Sequence, residues 1–358
     1  MIYSVIMAGG KGERFWPKSR RKTPKQLLCL TNDGKTMIQN SIDRVSSLCS
    51  PENTYIVTNK DYAMPINHQL PQIPLGNIVV EPFGKNTAAC IGLAAIHIMD
   101  KDKDGVMVVL PSDHIIKNNQ EFLRILDSAT TLAEEGENIV TIGITPSYPE
   151  TGYGYINFGE KACEKNNKSI YKVERFVEKP DIKKAEEYLE SGKYLWNSGM
   201  FIWKVSTIMN NIHEYMPRLY EGLMRIKDSI NTSTYNEVLY EEYSKFDSIS
   251  IDYGIMERAA KIFTIPGQFG WDDVGTWTAL ERVNKPDDKG NIYNGNIVSI
   301  DTKDCIIDGT QKLIATVGVE NLVIVDTDDA ILVCSKDRCQ DIKLLLSEMK
   351  ELKRENYL

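Results

Sequence analysis

The sequence has 358 residues, of which 42% are hydrophobic and 26% charged, and its formal net charge is −8. This length and composition are typical of a globular protein with one large and one smaller domain. The acidic excess argues against general binding to nucleic acid or an anionic membrane surface, so any anion site must be local. The apolar runs fall short of the roughly 20 residues that a transmembrane helix needs, and we expect no membrane contact.

The seven cysteines are scattered along the chain without a CxxC pair, and the four histidines form no metal-spaced cluster. An odd, dispersed set of cysteines is typical of reduced thiols and not of a disulfide or zinc framework. We therefore expect a cytoplasmic protein.

Strands and helices alternate through the first 150 residues. Short apolar runs predict strands at 2–7, 55–59, 77–81, 106–113 and 138–144. Helical spacing of apolar residues predicts helices at 36–49, 87–99 and about 120–135. This order indicates an α/β fold with a Rossmann-like mixed, mostly parallel sheet and helices on both faces.

The alternation loosens after residue 150. Strand-like runs follow at 153–158, 171–180 and 195–205, and 263–280 returns to the sheet. Asp181 is placed to cap a short helix at 181–192, and a long helical stretch fills about 206–262. The turn-rich segment 285–291 is the predicted domain boundary, so the first domain is expected at 1–284.

Short strands recur every nine to ten residues beyond this boundary. They predict a small β module at 291–336, resembling a few coils of a β-helix. Residues 338–358 form an amphipathic helix whose apolar stripe must pack, either on its own domain or on a second subunit. The stripe consists of Ile342, Leu345, Leu346, Met349 and Leu352.

A basic, glycine-rich segment, VIMAGGKGERFWPKSRRKTPKQ, follows the first strand at 5–26. It lacks the third glycine of the dinucleotide pattern, since Phe15 stands there, and it lacks a P-loop. Glycines without Cβ atoms let backbone N–H groups approach a ligand closely. A solvated basic turn is the alternative, but the charge density in an acidic chain favours a polyphosphate site. The seven cations are Lys11, Arg14, Lys18, Arg20, Arg21, Lys22 and Lys25.

Six further motifs follow this segment along the chain. They are EPFGKNTA (81–88), LPSDH (110–114), GYGYI (152–156), FVEKP (176–180), WNSGMF (196–201) and GWDDVGTW (270–277). Together they resemble the nucleotidyltransferases that make sugar nucleotides, and within these the mannose-1-phosphate guanylyltransferase (GDP-mannose pyrophosphorylase) family. The resemblance covers about residues 1–280 and implies a nucleotidyltransferase catalytic domain. It also implies that the C-terminal β module and helix support a homodimer.

The resemblance implies transfer of GMP from GTP to α-D-mannose 1-phosphate, giving GDP-mannose and pyrophosphate. A sugar-phosphate oxygen would attack the α-phosphorus in line, with Mg²⁺ as cofactor. UTP or dTTP with glucose 1-phosphate is the nearest alternative. A non-catalytic nucleotide-sugar sensor is another, although such a protein is expected to lack the catalytic residues that are present here. Those residues are Arg14, Lys25, Asp113 and Asp273.

Asp113 and Asp273 are the predicted Mg²⁺ ligands, because two carboxylates plus phosphate oxygens and waters suit this ion. Asp113 follows a strand, where a turn or helix-capping aspartate is the alternative. Asp272 competes with Asp273, which the family pattern favours since it stands two residues before Gly275. Arg14 and Lys25 are expected to bind the triphosphate and the departing pyrophosphate.

Further binding residues are carried over from the matching motifs. Those expected at the nucleotide are Ala8, Gly9, Gly10, Gly12, Glu81, Asn86, Thr87 and Ser112. Those expected at the sugar phosphate are Gly152, Tyr153, Glu178, Lys179 and Asn197. Asn86 could equally cap the following helix. The tryptophans at 196, 203, 271 and 277 are assigned to the core in preference to a sugar platform.

Overall fold

The computed structural model describes residues 1–31 and 33–358. The strands are β1 (Ile2–Met7), β2 (Thr54–Asn59), β3 (Ile78–Glu81), β4 (Val106–Pro111), β5 (Ile115–Ile116), β6 (Ile139–Ile144), β7 (Tyr155–Lys165), β8 (Lys168–Val177), β9 (Tyr194–Lys204), β10 (Ile262–Gly267), β11 (Trp271–Asp272), β12 (Ile292–Asn294), β13 (Ile297–Ile300), β14 (Ile306–Asp308), β15 (Ile314–Val317), β16 (Leu322–Asp326) and β17 (Ile331–Ser335). The α-helices are α1 (Met37–Val45), α2 (Lys60–Gln69), α3 (Asn86–Met99), α4 (Asn119–Glu134), α5 (Ile182–Ser191), α6 (Val205–Tyr215), α7 (Pro217–Ser229), α8 (Tyr235–Lys245), α9 (Leu280–Val283) and α10 (Ile342–Glu351).

The chain forms two compact units, each assembled from separate segments. The large unit comprises Met1–Gly9, Ile42–Pro111 and Ile116–Trp271. The small unit comprises Gly10–Ser41, Ser112–Ile115 and Asp272–Leu358. Three motifs singled out in the sequence are therefore divided between the units.

The large unit is built on a nine-stranded sheet in the order β3-β2-β1-β4-β9-β6-β10-β8-β7. The four strands β3, β2, β1 and β4 are parallel, β9 runs antiparallel between β4 and β6, and β6 and β10 are parallel. Met7 pairs with Pro111, so β1 and β4 end at the same edge. Ligands of open α/β sheets bind beyond such carboxyl ends.

Helices cover both faces of this sheet. Met107 and Val109 of β4 belong to the same core as the small apolar residues of α3. Successive side chains of a strand point to opposite faces, so Val108 lies on the other face, and α4 packs against β4, β6, β9 and β10. The expected mixed, mostly parallel sheet with helices on both faces is confirmed.

Local sequence explains where several helices begin and end. Asp181 caps α5 as expected, its carboxylate accepting a hydrogen bond from the Lys184 amide at 2.9 Å. The stretch at 206–262 is not one helix but α6, α7, α8 and a π-helical turn at Asp252–Met256. Pro217 begins α7, because proline suits a first helical position and disfavours helix before it. Among the described residues, no helix combines the length and apolar character required to cross a membrane.

The small unit contains the expected β-helix-like module. Strands β12, β14 and β16 pair in parallel, with Ile292 opposite Ile306 and Ile306 opposite Val323. Strands β13 and β15 form a second parallel pair. Stacked parallel strands from successive coils are the defining feature of a β-helix.

The terminal helix α10 packs within the small unit. Ile342 and Leu346 are buried in one core with Phe15 and Trp277. Leu352, by contrast, is 62% exposed, since α10 ends at Glu351 and Lys353 takes a left-handed φ of 56°. Part of the predicted apolar stripe thus packs on its own unit and part stays at the surface.

Candidate active site

Lys25 is a buried cation at the centre of the small unit's charged residues. Its side chain is 5% exposed, and its ammonium donates to the Asp113 carboxylate at 2.9 Å and to the Asp273 carbonyl at 2.5 Å. Desolvation opposes ionisation of Asp113, but Lys25 and then His114 outweigh it, so the pKa of Asp113 lies below its usual value. The structure thus brings together three of the four predicted catalytic residues.

Gly12 makes the position of Lys25 possible. Its φ of 63° lies in the left-handed region, and a Cβ there would stand 2.3 Å from the Lys25 Cβ. Any other residue would therefore collide with Lys25 as well as strain the backbone. In this loop, the glycine at position 12 therefore allows Lys25 to approach the backbone closely.

Asp272 and Asp273 have different surroundings. Arg282 donates to the Asp272 carboxylate at 2.5 and 3.0 Å, and the Val274 amide donates to the same carboxylate at 2.8 Å. Asp273 instead lines a cavity with Lys25 and Asp113. Val274, fully buried, holds a left-handed φ of 46°, which marks local backbone strain at this turn.

Arg14 completes this cluster from the turn after the glycines. Its Nη1 donates to the Gly275 carbonyl at 3.5 Å, while its buried Nε has no acceptor among the described residues. The adjoining Phe15 ring packs 5.1 Å from the Trp277 ring, centroid to centroid, and so anchors the turn.

A cavity of about 410 Å³ in the small unit joins these residues. It is lined by Lys11, Gly12, Glu13, Arg14, Phe15, Lys25, Asp113, His114, Asp273, Gly275 and Lys343. All four predicted catalytic residues line it, and Lys11, Glu13 and Lys343 add three further charged side chains. Ser112 is 2% exposed, and its carbonyl accepts from the Ser41 hydroxyl at 3.1 Å, so it buttresses the chain beside Asp113.

The nucleotide residues predicted in the large unit lie at the carboxyl edge of the sheet. Both backbone polar groups of Ala8 are hydrogen-bonded to β2. Its amide donates to the Val57 carbonyl, and its carbonyl accepts from the Thr58 hydroxyl. A Cβ on Gly9 would stand 3.5 Å from Glu81 Oε2, so Glu81 faces Gly9. Gly10, which begins the small unit, has open space around its Cβ position.

Glu81 is a buried carboxyl, 5% exposed, that accepts a hydrogen bond from the Tyr243 hydroxyl at 2.6 Å. Burial raises its pKa to about 7, although the Tyr243 hydrogen bond acts in the opposite direction. Tyr243 carries no motif in the sequence and is 162 residues from its partner. Sequence reasoning therefore missed it.

A second cavity, of about 830 Å³, opens in the large unit. It brings Asn86 and Thr87, predicted at the nucleotide, together with Glu178 and Lys179, predicted at the sugar phosphate. The Asn86 side-chain oxygen accepts from the Thr87 amide at 2.8 Å, and α3 begins at Asn86 itself without a side-chain cap. The Thr87 hydroxyl accepts from the Ile251 amide at 2.8 Å and so fixes the chain before the π-helical turn.

Asn197 is joined to this cavity through Asp252, a residue that sequence reasoning missed. The Asn197 amide donates to Asp252 Oδ1 at 2.7 Å, and its oxygen accepts from the Gly199 amide at 3.1 Å. Burial raises the pKa of Asp252, the Asn197 hydrogen bond lowers it, and Glu178 raises it further. Asp252 lies in a π-helical turn, a feature often found at functional sites.

The glycines near the sugar residues differ in their surroundings. Gly152 lies in an exposed turn, where its amide donates to Glu150 Oε1 at 2.7 Å. Gly154 is the closer neighbour of the site, since a Cβ there would lie 3.2 Å from Glu178 Oε2. The Tyr153 ring packs edge-on against Trp196 and Trp271. Trp196, Trp203 and Trp277 are buried as expected, and Trp271 is half-buried.

The fold and the charged cavity define an α/β protein equipped to bind phosphate-bearing ligands. Residues 3–290 match the nucleotidyl transferase family, and residues 295–349 match the MannoseP isomerase/GMP-like β-helix domain. The chain belongs to the nucleotidyl transferase family and is a nucleotidyltransferase.

Individual proteins extend this likeness over the whole chain. A mannose-1-phosphate guanylyltransferase of Klebsiella pneumoniae is 39% identical over 360 residues, covering 100% of this chain and 76% of that protein. The alginate biosynthesis protein AlgA of Pseudomonas syringae pv. tomato is 37% identical over 350 residues, covering 97% and 71%. A Thermus thermophilus crystal structure, described as mannose-1-phosphate geranyltransferase, superposes with a TM-score of 0.87 at 33% identity, covering 98% and 99%.

Proposed function

We propose that the chain transfers GMP from GTP to α-D-mannose 1-phosphate and releases GDP-mannose and pyrophosphate. The observation that carries this proposal is the cavity shared by Arg14, Lys25, Asp113 and Asp273, within a chain similar throughout to mannose-1-phosphate guanylyltransferases. The reaction needs two anions to be aligned and their charge neutralised, and it needs no protein nucleophile.

Lys25 is suited to stabilise charge on the reacting phosphates. Two of its three ammonium N–H groups are held by Asp113 and Asp273, so the third can donate to a phosphate oxygen. Because the lysine is already buried and oriented, it loses little freedom when substrate arrives. Arg14 adds a planar guanidinium at the same cavity, which can grip a phosphate through two N–H groups.

The donor set of this cavity fits Mg²⁺. Asp113 and Asp273 offer carboxylate oxygens, and Mg²⁺ typically takes one or two carboxylates together with substrate phosphates and waters. When bound, Mg²⁺ would offset phosphate charge and favour departure of pyrophosphate. Asp272 is the weaker candidate, because it is not among the residues that line this cavity and its carboxylate accepts from Arg282 and the Val274 amide.

Base and sugar selectivity are assigned to the large unit. Guanine presents N1–H and N2–H₂ donors, and the Glu81 carboxylate can accept both while Tyr243 holds its other oxygen. Glu178, Lys179 and Asn197 are proposed to hold the sugar phosphate, and Asp252 is proposed to orient Asn197 and accept from a sugar hydroxyl.

A substrate grid tests the proposal. Pyrophosphate release is measured with four nucleoside triphosphates against the 1-phosphates of mannose, glucose and galactose, in the presence of Mg²⁺. GTP with mannose 1-phosphate is expected to give the highest kcat/KM. A preference for UTP or dTTP with glucose 1-phosphate would replace the substrate assignment. Binding without turnover of any pair would support a sensor instead.

We also propose a cytoplasmic homodimer. The seven free thiols support the location. An exposed apolar strip on β13 and β15, where Val298 pairs with Ala315 and Ile300 with Val317, supports the dimer. Sedimentation of an Ile300→Glu, Val317→Glu variant is expected to give a monomer; an unchanged dimer would remove this strip from the interface.

A further inference from the structure

The terminal helix α10 brings one more cation to the charged cavity. Lys343, in the first turn of α10, lines this cavity beside Arg14, Lys25, Asp113 and Asp273. The sequence gives no hint of this placement, since Lys343 belongs to a C-terminal helix far from every phosphate-binding motif. Lys343 thus reaches the cavity from the C-terminal helix, which follows the catalytic motifs in the sequence.

The position of Lys343 is fixed by its neighbours. Ile342 is 2% and Leu346 is 6% exposed, and both pack in one core with Phe15 and Trp277. The helix also packs against the single turn Glu13–Phe15, which carries Arg14. Since a buried core joins the two segments, the cations at 14 and 343 are held to the same cavity wall.

Among the described residues that line the cavity, Lys343 shares with Lys11 an exposed side chain that makes no ion pair within 4.0 Å, whereas other lysines of the region are paired. Lys25 donates to Asp113, and the nearby Lys336 pairs with Glu281 and is 9% exposed. Lys343 is exposed and, among the described residues, makes no ion pair within 4.0 Å. An unpaired ammonium at a cavity rim is available for a phosphate that enters from solvent.

We propose that Lys343 binds the β- and γ-phosphates of GTP and the pyrophosphate product; this assignment rests on the proposed function. Of the described residues predicted at the base or sugar, Gly12 alone lines this cavity, and the four cations of the lining favour phosphate as its ligand. Buried Lys25 lies with the two aspartates, whereas the side chain of Lys343 is exposed to the solvent into which pyrophosphate departs. The C-terminal module therefore completes the leaving-group site.

Calorimetry on the full chain with Mg²⁺ tests this assignment. Four probes are compared, namely inorganic pyrophosphate, GTP, GMP and GDP-mannose, with Lys343→Ala, Lys343→Gln and the control Lys350→Ala. Lys350 is an exposed lysine of the same helix that does not line the cavity. Loss of one charged contact is expected to lower the affinity for pyrophosphate and for GTP about tenfold. Affinity for GMP and GDP-mannose is expected to stay within about twofold, because the β- and γ-phosphates of GTP are absent from both.

The outcomes separate binding from a structural role. Unchanged pyrophosphate affinity in both Lys343 variants overturns the proposal. A loss of GMP affinity as large as the loss of pyrophosphate affinity also overturns it. Recovery of pyrophosphate affinity in Lys343→Arg, with wild-type thermal midpoints, supports a direct contact. Pyrophosphate binding does not depend on which base or sugar is used, so a failed substrate grid would refute the proposed function without refuting this one.

Discussion

Two cavities of the molecule differ in how their lysines are held. In the small unit, one lysine is buried and already paired, since Lys25 at 5% exposure is held by Asp113 and Asp273. In the large unit, the cavity is larger, and its lysines Lys179 and Lys245 are 63% and 49% exposed and pair with glutamates. Under the proposed function, the site assigned to the phosphates is therefore preorganised around Lys25. The residues proposed for the sugar phosphate lie at a more open surface.

Replacement of Lys25 tests this contrast most severely. Lys25→Ala is expected to lower kcat by roughly 10²–10³, by analogy with the removal of one preorganised donor. The pKa of Asp113 should rise as its cationic partner is lost. Steady-state kinetics with saturating substrates measures the effect. The matched control is Lys22→Ala, an exposed cation of the same loop, which should stay near wild type. A loss of only twofold for Lys25→Ala would contradict its assigned role.

Asp252 probes the larger cavity. Asp252→Asn keeps the shape but removes the charge that accepts from Asn197, so KM for mannose 1-phosphate is expected to rise about tenfold. KM for GTP should change less than about twofold, because the base is read elsewhere. The control is Glu257→Gln, which removes the charge of an exposed side chain five residues further along the chain. Equal effects on both KM values would indicate a general disturbance of the turn.

The smallest expected effect is a pH dependence of base recognition. With its pKa raised to about 7 by burial, Glu81 is protonated below that pH and ionised above it. Only the carboxylate accepts both guanine donors, so KM for GTP should fall as pH rises from 6 to 8. Tyr243→Phe removes a hydrogen bond that favours ionisation, and the midpoint should move to higher pH. A midpoint unmoved in this variant would separate Tyr243 from base recognition.

The same protonation affects stability. The folded carboxyl holds a proton that the unfolded chain, with a pKa near 4.5, releases more readily. The contribution of Glu81 to the free energy of unfolding should therefore be largest below pH 4.5 and should decline between pH 4.5 and 7. Glu81→Gln should flatten this part of the stability profile.

Local patterns in the sequence predicted much of this molecule. Strand and helix periodicity indicated the α/β sheet, and the strands after 291 indicated the β module, because both depend on spacings within a few residues. The segment at 5–26 also singled out Arg14 and Lys25, which line one cavity in the structure. In the structure, α10 is shorter than the helix predicted at 338–358. It ends at Glu351, and Lys353 adopts a left-handed conformation that the apolar stripe does not reveal.

Pairs made by distant segments could not be read from such patterns. Tyr243 meets Glu81 across 162 residues, and Asn197 meets Asp252 across 55. Tyr243 lies in α8 and Asp252 in a π-helical turn, and neither belongs to a motif singled out in the sequence. Tertiary packing alone supplies the contact, so the missing information was the fold itself.

The contact that anchors the turn around Arg14 also has a consequence for biosynthesis. Trp277 Nε1 donates to the Trp16 carbonyl at 3.2 Å, across 261 residues. At about 5–20 residues per second, the ribosome takes roughly 10–50 s to supply that partner. Throughout that interval Phe15 and Trp16 lack the core that finally buries them. Phe15 and Trp16 are thus open to a chaperone at least until the segment that carries Trp277 has been made.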